Sequence, residues 1–380
     1  MIRSSFRKGL MMQKKGIALL AVCLALAGLP GCNSFFSSTS ASHVVYVTVP
    51  NQGVEAFRLD NKTGESTNIL GSPFTTGNSP FDIQVHPSKK FLYVSNAADN
   101  TISLFNIDAS SGALTEVMPR TITGLSPQSL AIDSGGSFLY VGNETSNNIS
   151  VYSIGSSNGA LTEISGSPFQ THSGPDSITI SPTGTYLYVL HTNLGIVSAY
   201  TIASGVLQEI AGSPFSVGSA PFALAIDPTE HFMYVTNAAA SIAGTGTVSE
   251  FLITSGTGAL TLVPDSAFPT GTNPVAALVN PTGAYLYVAN SGGNNISEFT
   301  INSTTGVLTE VPTATVAAGT SPIFLAFDPV SGFVDVGNQG SDNVTQFSIN
   351  LVTSGVNNGL LTAVMSFTTT NSPTAIAFGK

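Results

Sequence analysis

The stretch "SLAIDSGGSFLYVGNETSNNISVYSIGSSNGALTEI", residues 129–164, decides the fold. Four short runs stand out in it: "SLAID" (129–133), "SFLYVGN" (137–143), "NISVYSI" (148–154) and "ALTEI" (160–164). They are rich in β-branched and aromatic residues, and "SGG", "ETSN" and "GSSNG" separate them. Short apolar runs punctuated by Gly, Asn and Ser read as strands joined by tight turns. The second and third runs alternate in polarity. No window of helical length in the body escapes Gly or Pro with a 3.6-residue apolar period, so an all-β chain is predicted.

The same unit recurs along the chain. A small or polar residue plus proline opens each copy, at Pro80, Pro127, Pro175, Pro221, Pro274, Pro322 and Pro373. "FLYVGN" returns as "FLYVSN", "FMYVTN", "YLYVAN" and "FVDVGN", and once, at 186–191, as "YLYVLH". A period of ~48 residues with four antiparallel strands matches one blade of a β-propeller. The ends complement each other. "HVVYVTV" (43–49), "GVEAFRL" (53–59) and "STNIL" (66–70) read as strands two to four, and the closing "SPTAIAFGK" reads as a lone strand one. The prediction is a seven-bladed β-propeller over 43–380, with the first blade completed by the C-terminal strand. Closure removes the sheet edges that invite association, so a monomer is expected. Phe57, Phe105, Tyr152, Tyr200, Phe251, Phe299 and Phe347 recur in the third strand as blade-to-blade packing. Glu116, Glu163, Glu209 and Glu310 mark the outer strand as a solvated face.

Composition narrows the function. Five of the 11 cations, Arg3, Arg7, Lys8, Lys14 and Lys15, precede an apolar run, "IALLAVCLALAG" (17–28), and then "LPGC" (29–32). That order is an export signal. "LPGC" resembles a bacterial lipobox, so 1–31 is expected to be a lipoprotein signal peptide and Cys32 the lipidated residue. Residues 32–42 then form a Ser-rich tether. Asn33, not Asp, follows the cysteine, so an outer-membrane lipoprotein of the cell envelope is expected, facing periplasm or exterior and touching the membrane through its anchor alone. The two cysteines, Cys23 and Cys32, both lie in this region, leaving no disulfide or zinc–thiolate site in the body. Six scattered cations face 21 acids there. Nucleic acid is excluded, because phosphate neutralisation needs clustered Lys and Arg. A phosphosugar is disfavoured for the same reason.

The "YVxN" signature, the "SP" starts and the "LTEV"-like outer strands resemble the YVTN-repeat group of propellers, and most of all the lactonase family, which includes 6-phosphogluconolactonases. The resemblance covers nearly all of 43–380 and implies lactone hydrolysis by His, Arg and Glu gathered on one rim. In a propeller, the proline starts and the "YVxN" ends meet on that rim. The pairs after the prolines, from Phe81-Asp82 and Gln128-Ser129 to Thr374-Ala375, contain neither His nor Arg. Glu144, in "YVGNETSN", is the family-like residue that survives.

Residues of the rim still supply a drawable set. Lactone opening needs a base for water and donors or a cation for the oxyanion. His191 stands at the Asn position of its blade, with Glu144 at the same level next door, Asp176 at the start of the His191 blade and Arg120 on the connection leading to the rim. These four are the candidate catalytic residues, and Asp82 and Gln128 the candidate ligand-binding ones. The other reading of His191 is a turn-capping hydrogen bonder in place of Asn, with no second His expected beside it. A lone His with scattered carboxylates has no ligand spacing, so no metal and no cofactor are expected. Two functions follow: a display module binding a small molecule, polysaccharide or protein at the rim, which is the preferred reading, and a lactone hydrolase. The loop "AAASIAGTG" (238–246) belongs to the binding rim.

The anchor has a direct check. Cys32→Ala is expected to lose a metabolically incorporated fatty-acid label that the parent carries; a parent that never takes up label removes the anchor.

Overall fold

Every "YVxN" run is the second strand of a four-stranded antiparallel sheet, as at Phe91–Asn96, Phe138–Asn143 and Tyr285–Asn290. The computed structural model describes residues 42–242, 245–330, 332–350 and 359–379. The expected signal peptide, Cys32 and the tether up to residue 41 lie outside the described residues. Seven such sheets occur, and the one helical element among the described residues is a single 3-10 turn, Gln339–Ser341. The prediction of seven four-stranded blades holds.

Blade I contains Ser42–Val49, Gly53–Asp60 and Ser66–Asn68, and Ala375–Phe378 enters it as the inner strand. The register runs from Val45↔Phe378 to Thr48↔Ala375. Lys89 from blade II donates its Nζ to the Phe378 carbonyl at 2.8 Å, and Thr374 N–H bonds Thr48 O at 2.9 Å. Blades II to VII begin their inner strands at Pro80, Pro127, Ser177, Pro221, Pro274 and Pro322 and run inner to outer in chain order.

The second strands do not alternate as expected. Phe91–Asn96, Tyr186–His191 and Tyr285–Asn290 are buried at every position. A blade is covered on both faces by its neighbours, so its central strand is selected for an unbroken apolar run. The outer strand carries the irregularity. In blades III and IV it breaks into Leu161–Glu163 with Phe169–Gln170, and Val206–Glu209 with Phe215–Ser216. The break is a Gly-Ser-Pro-Phe turn, unremarked in the repeat pattern above. Ser167 and Ser213 Oγ accept the Val151 and Ala199 N–H groups that the interrupted ladder leaves over, at 2.9 and 3.1 Å.

Buried apolar side chains fall into seven clusters, one at each blade junction. At the closing junction Val45, Val47 and Phe57 of blade I meet Val344 and Phe367 of blade VII, with Phe57 and Phe367 rings 4.8 Å apart. The core is therefore a ring of wedges, and each blade depends on both neighbours.

Removing residues 372–380 deletes the inner strand of blade I and opens that ring. The truncated chain is expected to lose its cooperative thermal transition; a transition at the parent's temperature would show that closure does not depend on Ala375–Phe378.

Candidate functional site

Five of the seven inner strands enter the rim through a strained corner. Ser79, Ser126, Ala220, Asn273 and Ser321, each just before a proline, hold left-handed φ values of 49–55°. Their carbonyls accept the N–H of the residue after each "YVxN", namely Ala97, Glu144, Ala238, Ser291 and Gln339, at about 2.9 Å. A non-glycine residue holds such a φ only where its surroundings over-determine it. The corner thus fixes where the next two side chains point, and the rim end of the channel holds a cavity of about 470 Å³ lined by them.

The lining has two halves. Blades II to IV supply Asp82, Gln128, Ser129, Asp176, Ser177, Thr192 and Asn193. Blades V to VII supply Phe222, Ala223, Val275, Ala276, Ile323 and Phe324; Phe81 of blade II, beside Asp82, is the aromatic of the first half, and Thr374 with Ala375 of blade I completes the circle. Among the described residues, none of the lining side chains is Lys, Arg or His.

Asp82 bridges two blades: Oδ1 accepts Ile83 N–H and Oδ2 accepts Leu130 N–H, both at 2.7 Å. Burial nonetheless pushes its carboxyl up to about 6, against those two bonds. Ser129 makes the same inter-blade link to Ile178 N–H at 3.0 Å. Asp176 Oδ2 accepts Thr192 N–H at 2.7 Å. Its carboxyl is raised, first by burial and then by the charge of Glu144, with the Thr192 bonds opposing.

The structure brings together three of the six predicted side chains, Asp82, Gln128 and Asp176. Glu144 sits one bond behind the wall, accepting Gln128 Nε2 at 2.8 Å and Ser126 Oγ at 3.0 Å. Arg120 stands elsewhere. The segment expected to be a connection is the outer strand Leu114–Ile122, where Arg120 Nε pairs with Glu116 Oε1 at 2.7 Å. Sequence reasoning missed Thr192 and Asn193, which follow the His191 strand into the lining, and the apolar half, which looked like ordinary strand. The loop at 238–246 is an extension of the hairpin between Phe232–Ile242 and Thr245–Ile253, pairing Ile242 with Thr245.

His191 is fully buried and outside the lining. Its Nε2 meets Ser198 Oγ, seven residues on, at 3.1 Å. The asparagines make the corresponding bond: Asn96 to Ser103, Asn143 to Ser150, Asn290 to Ser297 and Asn338 to Thr345. Burial pulls the imidazole down to about 4. A second histidine is present after all. The His172 ring lies edge-on to His191 at 5.8 Å, and His172 Nδ1 reaches Ser198 Oγ at 3.0 Å. In blades II, III, V, VI and VII the position of His172 is Gly77, Gly124, Gly218, Gly271 and Gly319, where a Cβ would come within 2.4–2.6 Å of a neighbouring side chain, the "YVxN" asparagine among them. Blade IV has exchanged a Gly–Asn pair for a His–His pair. The signal was in the sequence, as "THSGP" beside "TGNSP", "TGLSP" and "TGTNP".

Fold and rim define a seven-bladed propeller with a small-molecule cavity at one mouth. The chain matches "Lactonase, 7-bladed beta-propeller" over residues 40–170 and 170–378, and belongs to that family. No curated protein matches it. Among solved structures, a "putative 6-phosphogluconolactonase" of Bacteroides fragilis is similar at 22% identity, covering 90% of this chain and 99% of its own, with a TM-score of 0.76. The periplasmic gluconolactonase of Pseudomonas aeruginosa is similar at 21% identity, 90% and 99% coverage and a TM-score of 0.70. At these identities the likeness establishes the fold.

The two readings of His191 separate experimentally. A neutral buried His with a folded value near 4 and an unfolded value near 6.5 leaves the unfolded chain binding more protons between them, so stability falls as pH drops through that window. The double variant His172→Gly/His191→Asn is expected to melt at the parent's temperature at pH 7 and to lose that part of the acid sensitivity. Loss of turnover with stability intact would assign His191 to chemistry.

Proposed function

We propose that the rim cavity hydrolyses a lactone that carries no phosphate. The observation that carries this is the pairing of raised carboxylates, Asp82 and Asp176, with a lining free of Lys, Arg and His among the described residues. A phosphate would meet negative charge and no counter-charge. The Pseudomonas aeruginosa gluconolactonase, by its name, acts on a lactone without phosphate. The envelope address expected from Cys32 points the same way, since phosphorylated sugar lactones are cytosolic.

Asp176 is the base in this reading. One of its oxygens is held by Thr192 N–H, which fixes the carboxylate at the cavity wall. The other takes a proton from water as the water attacks the lactone carbonyl, and returns it to the ring oxygen as the tetrahedral intermediate collapses and the acyl C–O ring bond breaks, giving the hydroxy acid. Burial raises the group toward working pH, where a general base is most effective. The Asn193 amide, in the lining, is the donor for the developing oxyanion. Glu144 holds Gln128 in place and adds negative charge beside Asp176.

A binding module without chemistry is the second reading, favoured by the missing cation at the oxyanion position. A panel of uncharged lactones separates the two. The parent is expected to open at least one, and Asp176→Asn to lower kcat about 100-fold or more, the usual scale for a general base. The rate should rise with pH through a value above the ordinary aspartate range, because the deprotonated form is active. Unchanged turnover in Asp176→Asn removes Asp176, and absence of turnover with every lactone favours the binding module.

A further inference from the structure

We propose that the lactone carries an apolar substituent, an alkyl chain or an aryl ring, seated against Phe222, Val275, Ile323 and Phe324. This rests on the hydrolase reading of the same cavity and names its substrate class. The lining is uneven by blade, with Asp176, Thr192 and Asn193 in blade IV, apolar side chains alone in blades V to VII, and Phe81 beside Asp82 in blade II. Ile323 and Phe324 stand three blades round the ring from Asp176, across the mouth. A lactone ring held at Asp176 therefore presents its substituents to a wall without hydrogen-bonding side chains.

The two kinds of substituent fare differently there. Hydroxyls turned toward that wall would lose water and gain no partner. A site of this kind discriminates strongly against the polar analogue, since a buried unpaired hydroxyl is not compensated by area. An alkyl or aryl group instead covers apolar surface that now faces water. Phe81 is 43% and Phe222 50% exposed, unusual for large apolar side chains in a chain whose other repeated aromatics are buried. A cavity of about 470 Å³ is within the range of small-molecule sites and leaves room beyond a bare lactone ring. Polar partners for the carbonyl lie in blade IV, at Asp176, Thr192 and Asn193, so the carbonyl end turns there and the substituent toward blades V to VII.

The test uses the folded full-length chain and separates binding from turnover. Non-hydrolysable lactams report binding by calorimetry: an alkyl-substituted δ-lactam against gluconolactam, its polyhydroxylated counterpart. The alkyl lactam is expected to bind at least tenfold more tightly. Phe222→Ser is expected to weaken the alkyl lactam several-fold and so erase most of that advantage; Phe222 is half exposed, so the variant should keep the parent's melting temperature, and Ile323→Thr serves if it does not. Equal or tighter binding of gluconolactam, or an alkyl preference indifferent to both variants, overturns the proposal. Turnover is scored apart, with δ-decalactone, dihydrocoumarin and glucono-δ-lactone. A higher kcat/KM for glucono-δ-lactone overturns the substrate class and leaves the hydrolase standing. Selective binding of the alkyl lactam with no turnover of any lactone overturns the hydrolase and leaves an apolar-ligand site.

Discussion

The ring depends on one repeated bond. The second-strand tyrosine of a blade crosses the junction and donates its hydroxyl to a glycine carbonyl of the next blade. Tyr46 meets Gly112, Tyr93 Gly159, Tyr188 Gly258, Tyr234 Gly306 and Tyr287 Gly359, all at 2.7–2.9 Å. Each glycine has φ between 69° and 85°, and a Cβ on it would come within 2.6–2.7 Å or less of the residue two before the tyrosine, such as Val44 or Phe91. The bond therefore constrains three residues at once: the tyrosine, the glycine and the packing side chain. Such a bond contributes about 1 kcal/mol net, while a buried hydroxyl without a partner costs about 1–3 kcal/mol. The loss outweighs the gain, and five of the seven junctions keep the bond.

Two junctions depart from that rule. Between blades III and IV the third-to-fourth turn shortens to Ser204-Gly205, both left-handed, and Tyr140 OH is buried with no partner. Between blades VII and I, Asp335 replaces the tyrosine and pairs with Gln346 at 2.9 Å. Beside it His43 and Asp328 form a buried ion pair at 2.8 Å, with Asn61 on the other ring nitrogen. Burial pulls His43 down, but Asp328 and Asn61 outweigh it and the imidazole titrates above its usual range. Breaking one partner of a buried pair costs more than the pair contributes. The junction of blade VII with the N-terminal strands of blade I thus has buried polar contacts in place of the tyrosine bond. Burial also holds Asp335, Glu250 and Glu298 at about 7, so part of the blade V to blade I interface is built from carboxylic acids near their titration point.

Chemistry enters where the repeat is silent. The strained corner repeats in five blades and a left-handed glycine replaces it in blade IV, but the two side chains after the proline do not repeat: Phe81-Asp82, Asp176-Ser177 and Ile323-Phe324 occupy equivalent places. The scaffold fixes their direction and leaves their identity free. Asp82 shows the overlap of the two roles. It lines the cavity and also accepts N–H groups from two blades, so its removal would disturb the wall as well as its charge.

The sequence by itself determined the architecture. Four strands per unit, seven units and the closure by "TAIAF" were all readable, because strand and turn formation are local and repetition multiplies a weak signal. It also located the rim, and three of its six candidate side chains, Asp82, Gln128 and Asp176, lie in the cavity wall. Tertiary structure decided the rest. Arg120 is spent on Glu116 because an outer strand, and not a loop, runs through it. His191 is enclosed because both faces of a second strand are covered; His172 was legible as the departure from Gly in "THSGP", but its contact with His191 forms only when the connection folds back over the strand end. The two-sided lining was hidden for a different reason. Phe222, Val275 and Ile323 are residues any strand would contain, and only the ring, by turning residues from seven blades toward one axis, makes a surface of them.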